Sequence, residues 1–434
     1  MAAQPSGKVC EVFRTNAERQ DAYDFLSNQA ICAASLVLTV ARATARRCGG
    51  GAARTRCRGR HEPAADDRLH IKEFGALGAT NLGARGLNVV HAYAVREDGV
   101  PLGVLNQQWW ARVASPKRND CDERPLEGKE TLHWVRAIEE ATRELREVGA
   151  TAWFQVDWEG DRFWTLKALH TSGQRFTVRS TYDHRFLVDS RGRHKFRLRE
   201  VVAELSPRYE RVCQVRRRWT RLARRARFEV RTTHVALDMV EAYSNEGLDL
   251  PVAVVDVREV GTTPRDEKPL HWQLLTNQPI TTRADVERII DGYAKRWSIE
   301  EHHRAWKSRV CRVEDAQLRT THRMVKWAVI SIAVAARVER LKALARAEPQ
   351  LTAIAEITAF ELSAARLLLG LPKDSNRPDQ ATLAKAVSWI AQVGGYTGDT
   401  SGGPPGSSTL RRGLEGIAPV AMVLARLHGE DAMR

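Results

Sequence analysis

The segment DGYAKRWSIEEHHRAWKSR, residues 291–309, combines a carboxylate with residue types that bind phosphate. On a helix that advances about 100° per residue, five of its polar side chains fall within an arc of about 80°. They are Tyr293, Arg296, Glu300, Arg304 and Lys307. One helix face would therefore present a phenol, three cations and a single carboxylate, which suits a metal ligand held beside a phosphate backbone.

The alternative is a solvated helix face, on which Glu300 pairs with Arg296 and Arg304 at i,i+4 spacing. Charge runs on helices are usually of that kind. Trp297 and Trp306 favour the functional interpretation, because two tryptophans are unusual on a purely solvated helix.

A second candidate carboxylate, Asp157, closes the apolar segment TAWFQV, residues 151–156, which is typical of a buried strand. Its side chain would then lie at the C-terminal end of that strand. The alternative is that Asp157 is an N-cap or turn residue before a helix predicted at 161–173. The sequence leaves both interpretations open.

Alternating strands and helices predict an α/β core that positions these residues. Apolar, β-prone segments predict strands at 88–95, 100–110, 151–156 and 175–180. Helices are predicted at 129–149 and 161–173, each closed by a glycine. Placed after one more N-terminal strand, this order matches the strand–strand–strand–helix–strand–helix–strand succession of the ribonuclease-H-like fold, an analogy from order alone.

The rest of the chain consists of helical ends and a basic middle. We predict helices over 8–47, 282–309, 320–347, 351–370, 379–393 and 409–427. Residues 181–250 are strongly basic and predict mostly short strands, whereas 251–259 and 270–276 predict a strand pair.

Composition bounds the class of protein. A length of 434 residues predicts two or three domains, and 43% hydrophobic residues exclude a disordered chain. No apolar run approaches the roughly 20 residues that cross a bilayer. The net charge of +15 and the pI of about 9.8 favour a polyanionic partner. Seven cysteines without Cys-x-x-Cys spacing indicate a reducing compartment and no zinc site, so we expect a cytoplasmic protein.

The spacing of four residues carries a family resemblance. Bacterial cut-and-paste transposases of the insertion-sequence-four family have a Tyr-Arg-Glu-Lys signature with fixed spacing. The pattern Tyr-x2-Arg-x3-Glu-x6-Lys, formed here by Tyr293, Arg296, Glu300 and Lys307, resembles that signature. Other stretches are similar to that family at 85–112, 156–161, 269–279 and 394–406. The resemblance runs from about residue 8 to 427.

The resemblance implies an α/β fold with a ribonuclease-H-like catalytic core, a β-rich insertion and a C-terminal helical region. It divides the chain into an N-terminal helical remnant (1–48), an irregular segment (49–73), the first part of the core (74–180), a basic β-rich insertion (181–280), the signature helix (281–315) and a C-terminal helical dimerisation region (316–434).

The resemblance also implies the chemistry, which is metal-dependent phosphodiester cleavage and strand transfer at transposon ends. Two Mg²⁺ ions, for which Mn²⁺ can substitute, are held by two aspartates and a glutamate. Asp157 matches the second of these carboxylates and Glu300 the third.

The DNA-binding residues implied by the resemblance are Tyr293, Arg296, Arg304 and Lys307, which match positions that grip the DNA end. Trp272 matches the position whose pocket accepts a flipped base, although ordinary core packing in a strand is nearly as good an interpretation. The implied partners are double-stranded DNA with terminal inverted repeats, target DNA and a second copy of the chain. The homodimer would pair two DNA ends in a synaptic complex through helices 320–347 and 379–427.

The first catalytic aspartate of the family has no clear counterpart here. It is expected on a strand shortly before Phe74, where this chain has RTRCRGRHEPAADDRLH, residues 54–70. Asp66 and Asp67 are acids of the right type in a context that is not strand-like. Permitted codons for residues 57–64 read Ala-Val-Asp-Gly-Thr-Ser-Leu in the neighbouring frame. We therefore hypothesise that residues from about 49 to 69 are translated out of frame, so that one metal ligand is missing.

Two further departures concern DNA contacts. Trp158 stands where many relatives have arginine after the aspartate, and the helical DNA-recognition segment that precedes the stretch matching residues 8–30 is not seen. Besides an active transposase, the sequence therefore leaves three alternatives. These are a transposase remnant that binds DNA without cutting it, a basic non-enzymatic nucleic-acid-binding protein, and a nuclease or junction resolvase with the same core.

Overall fold

The computed structural model describes residues 4–49, 52–61, 74–76, 85–112, 124–188, 194–215, 223–264, 267–372, 380–398 and 403–431. Its strands are β1 Ala52–His61, β2 Gly75–Ala76, β3 Arg85–Gly86, β4 Asn88–Val95, β5 Pro101–Trp110, β6 Thr151–Val156, β7 Arg175–Arg179, β8 Phe186–Val188, β9 His194–Arg197, β10 Tyr209–Val215, β11 Arg224–Val240, β12 Gly247–Val260 and β13 His271–Thr276. Its α-helices are α1 Val9–Val12, α2 Asn16–Ser27, α3 Ala33–Cys48, α4 Thr131–Arg146, α5 Phe163–Thr171, α6 Leu198–Glu204, α7 Arg283–Ala294, α8 Ser298–Arg304, α9 Thr321–Ala347, α10 Ala359–Leu368, α11 Leu383–Val393 and α12 Ser407–Asp431. The chain is therefore mixed α/β, as its sequence predicts.

One large sheet organises the molecule, with strands in the order β5-β4-β1-β6-β7-β13-β12-β11-β8-β9 and β10 paired to β11. Within it, β1 lies antiparallel to β4 and parallel to β6, and Cys57 is in register with both Ala92 and Val156. Strand β7 continues parallel to β6. The C-terminal ends of β1 and β6 therefore meet at one edge of the sheet.

The central position of β1 corrects one expectation. The sequence predicts an irregular segment over 49–73, whereas residues 52–61 form a strand with neighbours on both sides. Two flanking strands supply its backbone hydrogen bonds, so tertiary pairing overrides a sequence pattern that is not strand-like. Asp66 and Asp67 lie outside the described residues.

The N-terminal helix predicted over 8–47 is three helices instead of one. Thr15 begins α2 with a capping box, in which its hydroxyl accepts from the Glu18 amide and the Glu18 carboxylate accepts from the Thr15 amide. The Cys32 sulfur caps α3 in a similar way. Side chains that satisfy the first amides of a helix create new helix starts, which interrupt the longer pattern.

The basic middle of the chain extends the same sheet. The short strands predicted for 181–250 are partly replaced by one long hairpin, because β11 has 17 residues and β12 has 14. The predicted pairing of 251–259 with 270–276 is confirmed by the antiparallel contact of β12 with β13. Strand β13 then pairs with β7, which joins this hairpin to the central strands.

Alternating residues on β4 face two different layers. Val90 and Ala92 pack with Ile138 of α4 on one face, whereas Val89 and Tyr93 pack with the layer that contains α8 and α9 on the other. Strand β4 is therefore covered on both sides, as expected for a strand whose sequence is almost continuously apolar. Among the residues that the structure describes, no helix is both long enough and apolar enough to cross a membrane.

Candidate functional site at the end of strand β6

Asp157 lies directly after β6, at the edge where β1 and β6 end. Its carboxylate is buried, with 4% of the residue exposed, and one oxygen accepts a hydrogen bond from the Glu159 amide at 3.0 Å. It therefore closes the strand and also caps the short 3-10 turn Trp158–Gly160. The strand-end position and the capping role expected from the sequence are thus both observed, although Asp157 caps the 3-10 turn and the helix that follows begins only at Phe163.

The signature segment is helical throughout but not regular. After α7, residues Lys295–Trp297 form a 3-10 turn, α8 follows, and Ala305–Arg309 form a π-helical turn. The single regular helix predicted over 282–309 is therefore wrong. Because a 3-10 turn and a π turn advance by different angles, the uniform 100° step does not hold across the segment.

Arg296 reaches Asp157 from this segment. The Arg296 Nη1 atom lies 3.5 Å from the Asp157 Oδ2 atom, and the two side chains are 16% and 5% exposed. A helix face that is merely solvated needs no such contact with another element. For Arg296, the alternative of a purely local i,i+4 pair is therefore insufficient.

The same segment meets β4 a little further along. His302 stacks on Tyr93 with ring centroids 4.2 Å apart, and His303 Nε2 lies 2.8 Å from His91 Nδ1. Arg296, just before α8, therefore meets the end of β6, whereas the two histidines of α8 meet β4. Glu300, which is half-buried, lies on the part of α8 between these two contacts.

The central strand does not supply a third carboxylate. On β1, Arg58 is in register with His91, and the preceding Cys57 is in register with Val156. Arg58 therefore stands level with Asp157. Residues 52–61 read AARTRCRGRH and include no aspartate or glutamate. Within the described ranges, no three histidine, cysteine or acidic side chains are grouped closely enough to hold a metal ion. The chemistry that the sequence resemblance implies uses three carboxylates, and among the described residues the matching positions supply two of them, Asp157 and Glu300.

Tyr293 and Trp272 form an aromatic pair beside Arg296. Their ring centroids are 5.3 Å apart in an edge-to-face arrangement, and the Arg296 guanidinium carbon lies 5.7 Å from the Tyr293 centroid. Tyr293 is only 4% exposed, and burial raises the pKa of its phenol. Trp272 is half-buried against the same apolar cluster. Core packing thus accounts for Tyr293 and for part of the Trp272 ring.

The last two predicted DNA-binding residues differ in their surroundings. Arg304 is exposed at the end of α8. Lys307 is half-buried and its ammonium lies 2.6 Å from a carboxylate oxygen of Glu314. Arg304 is thus the more accessible cation for a phosphate.

Trp306 corrects a sequence interpretation. It is fully buried, its indole N–H donates to the Ser331 hydroxyl at 2.8 Å, and its ring meets those of His91 and Trp109. It therefore anchors the segment in the core and is no sign of a functional face. Trp297, in contrast, is 36% exposed.

Sequence reasoning missed the buried imidazoles next to the site. Burial lowers the pKa of His302 to about 3, and burial together with His302 lowers that of His91 far below its ordinary value. Both rings are therefore neutral at physiological pH. The sequence could have shown this for His91, because alternate residues of a strand point to the same face, and His91 alternates with Val89 and Tyr93 on β4.

Asp161 was also missed. It is fully buried and accepts hydrogen bonds from the Thr181 amide at 2.8 Å and from the Arg185 guanidinium at 2.6 Å. This carboxylate therefore fixes the chain after β7 to the turn that follows Asp157.

No protein-family model matches the chain.

Proposed function

We propose that this protein is a DNA-end-binding transposase of the cut-and-paste class, built on a ribonuclease-H-like core, and that its cutting activity is impaired. The strand order β5-β4-β1-β6-β7 supports the core, because three strands in antiparallel succession are followed by two parallel strands after helical connections. The net charge of +15 supports a nucleic-acid partner.

The observation that carries the proposal is the contact between Arg296 and Asp157 at 3.5 Å. These residues come from two of the stretches that resemble the transposase family, and they are far apart in the chain. Glu300 follows Arg296 by four residues and lies in the first turn of α8. A guanidinium beside a carboxylate suits a scissile phosphate, because the cation attracts the anion, while Asp157 and Glu300 would act as metal ligands.

The impairment follows from β1. The proposed chemistry uses Mg²⁺, or Mn²⁺ in its place, on three carboxylates, and this chain offers Asp157 and Glu300. With β1 free of acidic residues, we expect the protein to bind DNA ends through Arg296, Arg304 and Lys307 and to cut them poorly. A homodimer that pairs two ends and engages target DNA belongs to the same proposal.

A gain-of-function experiment tests it. Residues 57–63, CRGRHEP, are replaced by AVDGTSL, which introduces the change Gly59→Asp within the motif of the neighbouring frame. We expect the original chain to bind a DNA end with terminal inverted repeats and to cut it at background level with Mg²⁺ or Mn²⁺. The repaired chain should cut at least about 100-fold faster.

The control is Glu300→Gln in the repaired chain, which should abolish cutting while DNA binding and thermal unfolding stay unchanged. If the original chain binds duplex DNA with no dependence on salt, the proposal fails, since phosphate contacts release counterions. If the repaired chain cuts branched DNA without strand transfer, a resolvase is the better assignment. The gene offers an independent check, because its neighbouring frame must encode Asp-Gly-Thr near codon 59.

A further inference from the structure

An open aromatic ring adjoins the proposed site. Trp158 follows Asp157 directly and is 49% exposed, although the residues on either side of it are held by hydrogen bonds. Gly160 keeps this turn tight, because a Cβ atom there would lie 2.3 Å from the Val156 side chain. The indole is therefore presented to solvent from a rigid backbone.

A second aromatic group is fastened to the same turn. The buried Asp161 carboxylate accepts from the Thr181 amide and the Arg185 guanidinium, which ties residues 181–185 to the turn that carries Trp158. Tyr182 lies within this tied segment. The guanidinium carbons of Arg162 and Arg185 lie 5.1 Å and 5.0 Å from its ring centroid.

We call Trp158, Arg162, Tyr182 and His184 the aromatic strip. The rings of Tyr182 and His184 meet edge to face at 5.6 Å, and His184 is exposed. The charges of the two segments that carry the strip nearly cancel, because they include the cations Arg162 and Arg185 and the anions Glu159, Asp161 and Asp183, of which Arg185 and Asp161 form an ion pair. Attraction for phosphates is thus weak here, whereas flat ring and guanidinium surfaces are abundant.

We infer that the aromatic strip stacks unpaired bases of the DNA strand that passes Asp157. Aromatic and guanidinium faces bind every base without reading its edges, and duplex DNA hides those base faces inside its stack. The strip therefore recognises single-stranded nucleotides that flank the proposed cutting position. This inference rests on the proposed function for its location, but the stacking itself needs no catalysis.

The experiment compares three DNA probes in EDTA, namely a blunt duplex, the same duplex with a four-nucleotide single-stranded overhang, and oligo(dT). Fluorescence anisotropy gives the Kd of each at several salt concentrations. Trp158→Ala should weaken binding of the overhang duplex and of oligo(dT) by about 5- to 100-fold, the range for loss of one stacked base. The Kd of the blunt duplex and all salt slopes should stay the same.

Two further variants keep the test specific. Trp158→Phe should restore most of the lost affinity, because a phenyl ring still stacks. Tyr23→Ala is the matched control, since it removes a ring that is 38% exposed on α2, and it should change none of the three values. Thermal unfolding of each variant excludes loss of the fold.

The outcomes separate the two proposals. If Trp158→Ala weakens all three probes equally, or weakens none, the stacking assignment is overturned while binding of the blunt duplex still supports the proposed function. If the parent chain binds oligo(dT) through Trp158 but does not bind the blunt duplex, the stacking assignment stands and the proposed function fails.

Discussion

Two groups of polar side chains pack against the helical segment of residues 295–309, and they differ in how far they are enclosed. At one end, Arg296 and Asp157 meet at 3.5 Å where strands end and Glu300 is half-buried. At the other, His302 and His303 are completely enclosed against Tyr93 and His91 of β4. The first group keeps a small exposed fraction, 16% for the Arg296 side chain and 5% for that of Asp157, whereas the second group is fully enclosed.

The contrast between the two groups shows that residue type alone does not predict whether a side chain can act as an acid or a base. Histidine is the usual acid–base catalyst, because its pKa lies near neutrality. Here burial keeps the pKa of His302 at about 3, so the imidazole stays uncharged and packs like an aromatic core residue. The Asp157 carboxylate and the Arg296 guanidinium, which are residue types more often found on the surface, are instead largely buried against each other.

The largest effect should come from the enclosed end. Trp306→Ala removes a fully buried indole and its hydrogen bond to Ser331, so the free energy of unfolding should fall by about 3–5 kcal/mol. Denaturant titration followed by circular dichroism measures it. Trp297→Ala, at the accessible end, is the control and should cost less than about 1 kcal/mol. Equal losses for both would remove the contrast between the two ends.

The next largest effect should be a loss of unfolding free energy at acidic pH, caused by the enclosed histidines. In the unfolded chain His302 has a pKa of about 6.5, and in the folded chain about 3. Between these values the unfolded state binds the proton and the folded state does not, so stability falls as pH drops below about 6.5. His302 should contribute a slope of about 1.4 kcal/mol per pH unit in this window, and His91 acts in the same direction.

The variant that tests this slope is His302→Gln. The pH dependence of its unfolding free energy should be flatter than that of the parent by about one proton between pH 6 and 4. An unchanged slope in His302→Gln would mean that this imidazole is not held neutral.

A smaller loss is expected for Arg296→Gln. It leaves the Asp157 carboxylate, which is 5% exposed, without its guanidinium neighbour, and this should cost about 1–3 kcal/mol of unfolding free energy. The affinity for duplex DNA should also fall. Chemical denaturation and anisotropy on the same preparation separate the two effects, and a variant as stable as the parent would show that the contact at 3.5 Å is incidental.

The smallest effect on stability should come from Arg304→Gln, because this side chain is exposed. The unfolding free energy should stay within about 0.5 kcal/mol of the parent. The slope of log Kd against log salt for duplex DNA should nevertheless decrease by about one, as for a lost phosphate contact. An unchanged salt slope would place Arg304 outside the DNA-binding surface.

The local elements can be predicted from the order of residues. The strand predicted at 88–95 is Asn88–Val95, and that predicted at 151–156 is Thr151–Val156, so that Asp157 was correctly expected at a strand end. Runs of apolar, β-prone residues and turn signals act over a few neighbours, and their effect is therefore legible in the order of residues.

Other features of the fold and of the candidate site depend on long-range contacts. A strand at 52–61, the burial of Trp306 and the contact of Arg296 with Asp157 all depend on partners far away in the chain. Pattern within one segment cannot reveal them, because the pairing of β1 with β4 and β6 and the packing of α8 against the sheet are set by the shapes and hydrogen bonds of the neighbours.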